Sequence, residues 1–91
     1  MAAITVWRKL DEEHATPALQ ELGKQLDGSS SELVLDFGDM HRIDAGFVQQ
    51  LEAFISIADE KKVRVALHGV NVDVYKVLKL LKLTSRFTSV S

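Results

Sequence analysis

The 91-residue chain contains no cysteine. That excludes a disulfide framework, thiolate metal ligation and a thiol nucleophile. One proline and five glycines are too few for long disorder. The longest apolar run is residues 1–4, far below the roughly 18 residues that a membrane span needs. Arg8 follows that run instead of preceding it, unlike the order in a signal peptide. The expectation is a cytoplasmic protein without direct membrane insertion. A charge excess is also missing: 11 Lys and Arg face 13 Asp and Glu, for a net charge of −2. This argues against nucleic acid as the main partner, because phosphate binding needs a net or clustered positive field.

What is present is globular composition, with 46% hydrophobic residues, at a length that suits one domain spanning 1–91. Strand and helix patterns alternate along the chain, as in βα units about a largely parallel sheet. Ile4, Val6 and Trp7 suggest a first strand and residues 11–14 a polar connection. Thr16 before Pro17 predicts a capped helix start, and Leu19, Leu22 and Leu26 supply its apolar stripe. A loop over 27–31 follows.

Residues 32–37 form a mostly apolar run, expected of a strand covered on both faces or near its edge. From Asp44 a second helix carries Phe47, Leu51, Phe54, Ile55 and Ala58 on its core side. Gln49, Gln50, Glu52, Ser56 and Asp59 lie on the other side, and Lys61 and Lys62 close the helix. Val63, Val65 and Leu67 alternate into a third strand that Gly69 ends. Asn71 is placed to cap a third helix with Val74, Val77, Leu78 and Leu81 inward and Lys76, Lys79 and Lys82 outward. Phe87 and Val90 suggest a terminal strand or a segment docked on the sheet.

Sites in such sheets gather beyond the carboxyl ends of the strands, here the stretches 38–46 and 69–72. The first holds Asp39, His41, Arg42 and Asp44, with Asp36 just before it. Asp44 reads as a helix cap, its carboxylate accepting first-turn N–H groups. The alternative, a magnesium pocket of Asp36, Asp39 and Asp44, would need adjacent acids after the first strand and a basic residue after a later one. Neither is present. His14, His41 and His68 fall in separate segments, never at the i, i+4 spacing of a helical metal pair. Ser29 to Ser31 have no base beside them, and no phosphate-binding loop occurs. No metal, cofactor or enzymatic activity is expected.

Two helix faces remain as docking candidates. The lysines at 76, 79 and 82 are either a solvated face or a surface for an acidic partner. Gly46, Gln50, Ala53 and Ile57 line up on the second helix, where partner contact competes with partial burial of Ile57.

The segment 32–87 resembles the STAS domain, the fold of bacterial anti-sigma factor antagonists and of the STAS subunit of the Mla phospholipid transport system. The resemblance rests on Leu33-Val34-Leu35-Asp36-Phe37, Ile43-Asp44-Ala45-Gly46, Val65-Ala66-Leu67-His68-Gly69-Val70, Val77-Leu78-Lys79-Leu80-Leu81-Lys82-Leu83 and Phe87. The eight-residue step from Asp36 to Asp44 is similar to the family's spacing. The N-terminal part departs from it, with one strand where the family often has a hairpin.

The resemblance implies a single α/β STAS-like domain of about four strands, mainly parallel or mixed, with helices packed over the sheet. It also implies a non-catalytic regulatory adaptor. Its switch loop would hold Asp36, Asp39, Asp44 and Gly46, and its partner surface Met40, His41, Arg42, Gln49, Gln50, Ala53 and Ile57. The implied partner is an anti-sigma factor or a related kinase-like ATPase. The alternative is the ATPase of a lipid ABC transporter, to which the similarity of Gly69-Val70-Asn71 and Val74-Tyr75-Lys76 points. From another class, a small nucleotide or lipid ligand and, separately, a weak homodimer stay open. Antagonists typically carry Asp-Ser-Ser-Gly at the second helix start, with the first Ser phosphorylated. Here Ala45 follows Asp44, so the resemblance implies an adaptor without that switch.

Overall fold

Parallel strands cannot be joined by a tight turn, so each return crosses over through a helix. The computed structural model follows that rule and describes residues 5–26 and 32–91. The expected strand position of Ile4 and the loop over 27–31 lie outside the described residues. The elements are β1 (Thr5–Asp11), α1 (Ala15–Gln25), β2 (Glu32–Asp39), α2 (Ala45–Lys61), β3 (Arg64–His68) and α3 (Val72–Leu80). A 3-10 turn (Thr84–Arg86) and a two-residue β4 (Ser89–Val90) follow. The sheet order is β1-β2-β3-β4, with every pair parallel.

Each right-handed crossover steps to the next strand in the same direction, which puts all three helices on one face. Burial agrees. Leu33, Leu35, Phe37, Val65 and Leu67 share one cluster with Leu19 of α1, Phe47, Leu51, Phe54 and Ile55 of α2, and Val74 and Leu78 of α3. Val34 and Ala66, of opposite parity on the strands, are buried but outside that cluster. The apolar run of β2 therefore does not mean helices on both faces. Trp7, Val34, Ala66 and Ser89 form one row across the other face. There Trp7 on β1 meets His68 on β3 edge-on at 5.3 Å between ring centroids, so the pair spans β2 on the face where Val34 is buried.

The helix ends show what the sequence does locally. At α1, Pro17 sits in the first turn as expected, but Thr16 is not the cap: the N-cap is His14, with no side-chain cap bond. Instead Asp11 Oδ1 accepts from the His14 N–H at 2.8 Å, so the turn is set one step earlier. α2 and α3 are capped as read, Asp44 Oδ1 accepting from Phe47 N–H and Asn71 Oδ1 from Val74 N–H, both at 2.8 Å.

α3 closes with the Leu83 N–H donating to Leu78 O at 2.9 Å and the Lys82 N–H to Lys79 O at 3.0 Å, with Lys82 at φ 60. This is the Schellman arrangement, in which the residue after the turn packs back on the last helical turn. Leu83 is accordingly buried, and Leu81, expected inward, is 46% exposed. Past the 3-10 turn, the chain pairs with β3 through the Thr88 N–H to Val65 O and the Ser91 N–H to Leu67 O. The terminal segment is thus a short strand with Phe87 buried beneath it.

Candidate functional site

The carboxyl ends of β1, β2 and β3 present three loops side by side, and polar groups tie them together. Residues 40–44 are the loop after β2; Ala45 and Gly46 already belong to the first turn of α2. One carboxylate oxygen of Glu12, from the β1–α1 connection, accepts the N–H groups of both His41 and Arg42 at 2.9 Å. Hydrogen bonds to an ionised acceptor are roughly twice as strong as neutral ones. From the other side Asn71 Nδ2 donates to Met40 O at 3.1 Å and to His41 O at 3.3 Å. Asn71 therefore caps α3 and holds the neighbouring loop with the same amide.

The strand ends approach just as closely. Gly69 takes φ +73, and a Cβ there would lie 3.1 Å from Gly38 N and 3.2 Å from Gly38 Cα. Only glycine combines that backbone angle with that proximity. Asp36 Oδ1 accepts the Gly38 N–H at 2.8 Å, so this carboxylate shapes the exit of β2.

The acidic residues are held apart by separate partners. Asp36 engages Gly38, Asp44 caps α2, and Asp39 pairs with Lys9 at 3.0 Å. The hydrogen bond and charge of Asp39 raise the Lys9 ammonium above its ordinary pKa. Among the described residues no group of three or more His, Asp or Glu is placed to hold a metal ion. The three histidines are likewise separate: His14 Nδ1 lies 3.0 Å from Asp11, His41 is exposed on the loop, and His68 meets Trp7 edge-on. The bonds from His14, its backbone N–H first, lower the Asp11 pKa.

Of the residues expected on the docking surface, His41, Arg42, Gln49 and Ala53 are exposed, as are Asp39, Asp44, Ala45 and Gly46. Met40 is not: it is 2% exposed within the core, its N–H bonded to Phe37 O. An apolar side chain at the loop base anchors the loop and is removed from any partner. Gln50 and Ile57 are half-buried, because they wall a groove of ≈ 440 Å³ between α1 and α2. Its α1 side includes Leu19, Gly23 and Lys24. A Cβ on Gly23 would meet Ile57 Cδ1 at 3.3 Å, so this glycine brings Ile57 close to α1. The reading by residue pattern missed Gly23 and Glu12. A glycine inside a leucine stripe is a legible sign of close helix packing, whereas nothing local marks Glu12, whose partners are 29 and 30 residues away.

With that geometry in place, the comparisons agree on a fold. A family model described as "Mlab, STAS domain" matches residues 2–88. No curated protein matches the chain. Among solved structures, the NMR structure of the protein TM1081 superposes with a TM-score of 0.78 at 16% identity. The alignment covers 98% of this chain and 75% of that one, a likeness of fold alone.

Proposed function

The chain belongs to the STAS domain family, and from that premise we propose that it is a non-catalytic adaptor that docks on an ATPase subunit through its 41–44 loop and the exposed side of α2. The observation that carries this reading is the double tie on the loop. Glu12 and Asn71 hold its backbone, while the side chains of His41 and Arg42 and the first-turn residues Ala45 and Gly46 stay exposed. A loop fixed before binding loses little conformational entropy on docking, which is how a small surface gains affinity. Gln49 and Ala53 continue the surface along α2, with Gln50 at its rim.

Two ATPase classes fit a STAS adaptor: a kinase-like anti-sigma factor, and the ATPase of a lipid ABC transporter. Two features favour the second. The matching family model carries the Mla name, and the residue after the Asp44 cap is an exposed alanine. Without a hydroxyl, Ala45 offers no phosphoacceptor where antagonists are switched, so binding is constitutive or governed by another input.

The test is to purify the ATPases encoded beside the gene and titrate each with the parent and with Ala53→Glu by calorimetry. The expected result is binding to the transporter ATPase that Ala53→Glu weakens at least about tenfold, as a desolvated charge in an interface does, with an unchanged melting temperature. Binding only to an anti-sigma factor, with phosphorylation of Ala45→Ser, would restore the first class. Undiminished binding by Ala53→Glu would remove α2 from the interface.

A further inference from the structure

The charge of this chain is divided along its length. Residues 74–91 carry Lys76, Lys79, Lys82 and Arg86 and no acidic side chain, whereas residues 1–73 carry all 13 acidic residues against seven basic ones. Arg86 is engaged with Asp59 at 2.8 Å, which leaves the three lysines of α3 and its closing turn. The exposed apolar side chains fall in the same place. Of the large hydrophobic residues exposed among the described residues, Val72, Tyr75, Leu80 and Leu81 lie on α3 and its closing turn, and only Trp7 lies elsewhere. Val72 is 68% and Leu80 82% exposed.

Helical spacing gathers these groups. Val72, Lys76 and Leu80 are separated by four residues each, and Tyr75 and Lys79 flank them on the same side. Asp73 is the one carboxylate of the helix, and it turns towards the groove that α3 shares with His41, Arg42 and Ile43. The outer face is therefore positive and apolar on a molecule that is otherwise acidic.

We infer that the outer face of α3 is a docking surface for an anionic lipid bilayer. The charge sign orients the molecule, with its basic end towards lipid phosphates and its acidic body away. Nucleic acid would use the lysines but leave Val72, Leu80 and Leu81 in water. A protein partner would need a groove to receive a convex helix, whereas the headgroup region admits protruding Leu and Val side chains without one, and flanking lysines extend to the phosphates. The contact is peripheral, because no described helix is long and apolar enough to cross a membrane. It uses neither the 41–44 loop nor α2, so it stands apart from the adaptor reading.

Flotation with vesicles of equal parts phosphatidylglycerol and phosphatidylcholine, against phosphatidylcholine alone, tests the inference. Binding is expected on the anionic vesicles only. It should fall sharply between about 0.1 M and about 1 M salt, as the Debye length shrinks from about 10 Å to about 3 Å. The variant K76Q/K79Q/K82Q should bind on the order of 100-fold more weakly, and Leu80→Ser, at a position with almost no core contact, about fivefold more weakly. K61Q/K62Q/R64Q removes as many positive charges from a different surface and should bind like the parent. Equal loss in that control would reduce the effect to net charge and overturn the inference. So would binding that Leu80→Ser leaves intact, the behaviour of a purely ionic surface for nucleic acid or an acidic protein, or no binding to anionic vesicles. Circular dichroism and melting of each variant separate loss of contact from loss of fold.

Discussion

Replacing Gly69 with alanine probes the point where the sheet and the candidate loop meet. Two costs add. An L-residue in the left-handed region costs roughly 1–2 kcal/mol, and Gly69 sits at φ +73. The new methyl would also lie 3.1 Å from Gly38 N, 3.2 Å from Gly38 Cα and 3.3 Å from Asp36 Oδ1. Those atoms are the backbone of a central strand and a carboxylate already bonded to it, so neither rotates away. Separating β2 from β3 by a few tenths of an ångström is overpacking, which typically costs about 1–3 kcal/mol. The sum is about 2–5 kcal/mol. At about 4–8 °C per kcal/mol for a domain of this size, melting should fall by at least about 8 °C.

Gly23→Ala is the internal comparison. Its methyl would meet Ile57 Cδ1 at 3.3 Å and Phe54 Cδ2 at 3.9 Å, and the first of these is the end of a flexible side chain. Alanine is preferred over glycine in a helix interior by about 1 kcal/mol, so this variant should match or exceed the parent. Urea unfolding with equal m-values, supported by amide spectra centred on Gly38, measures both. A cost below about 0.5 kcal/mol for Gly69→Ala, or a drop of equal size in Gly23→Ala, would refute the argument from backbone proximity.

Other consequences follow from single contacts. Glu12→Ala removes the acceptor of two loop N–H groups, so His41 and Arg42 amides should exchange about tenfold faster or more while core amides keep their protection; Glu12→Gln should fall between. Lys62 closes α2 in the left-handed region at φ 59, and Lys62→Gly should stabilise by up to about 1 kcal/mol in denaturant titration. Asp11 has a depressed pKa because the folded state donates the His14 N–H to its carboxylate. Its stabilisation is complete above the unfolded value near 3.9 and is lost as pH falls through the lower folded one. Asp11→Asn should therefore be less stable than the parent at neutral pH, with the two melting curves converging in acid.

The elements that sequence made legible are those whose signals are local. Asp44 and Asn71 precede helices at capping spacing and cap them. Phe47, Leu51, Phe54, Ile55 and Ala58 recur on a helical period and are buried. What escaped was set by distant partners or by competition. Val34 looked like the mark of a doubly covered strand, because an apolar residue on β2 reads the same under a helix or under the Trp7 and His68 rings. Met40 looked like loop surface because its burial depends on chain folding back under the loop.

The three leucines before Thr84 show why periodicity alone cannot assign an outer face. In Leu80-Leu81-Lys82-Leu83, a continuing helix would carry Leu81 inward beside Val74, Val77 and Leu78. The backbone instead reverses at Lys82, whose left-handed conformation lets the Leu83 N–H reach Leu78 O. That reversal exchanges one leucine for another in the core: Leu83 goes in, Leu81 is half released, and Leu80 is left almost fully in water. Helical spacing already puts Leu80 outside with Val72 and Lys76, and the helix end adds Leu81 to it by giving the core position to Leu83. A lysine stripe on a purely polar face is ordinary solvation. The same stripe beside Val72 and Leu80 puts uncovered apolar area among positive charges, a combination that the exposed Lys61, Lys62 and Arg64 lack, and an anionic bilayer offers a counterpart to both parts of it.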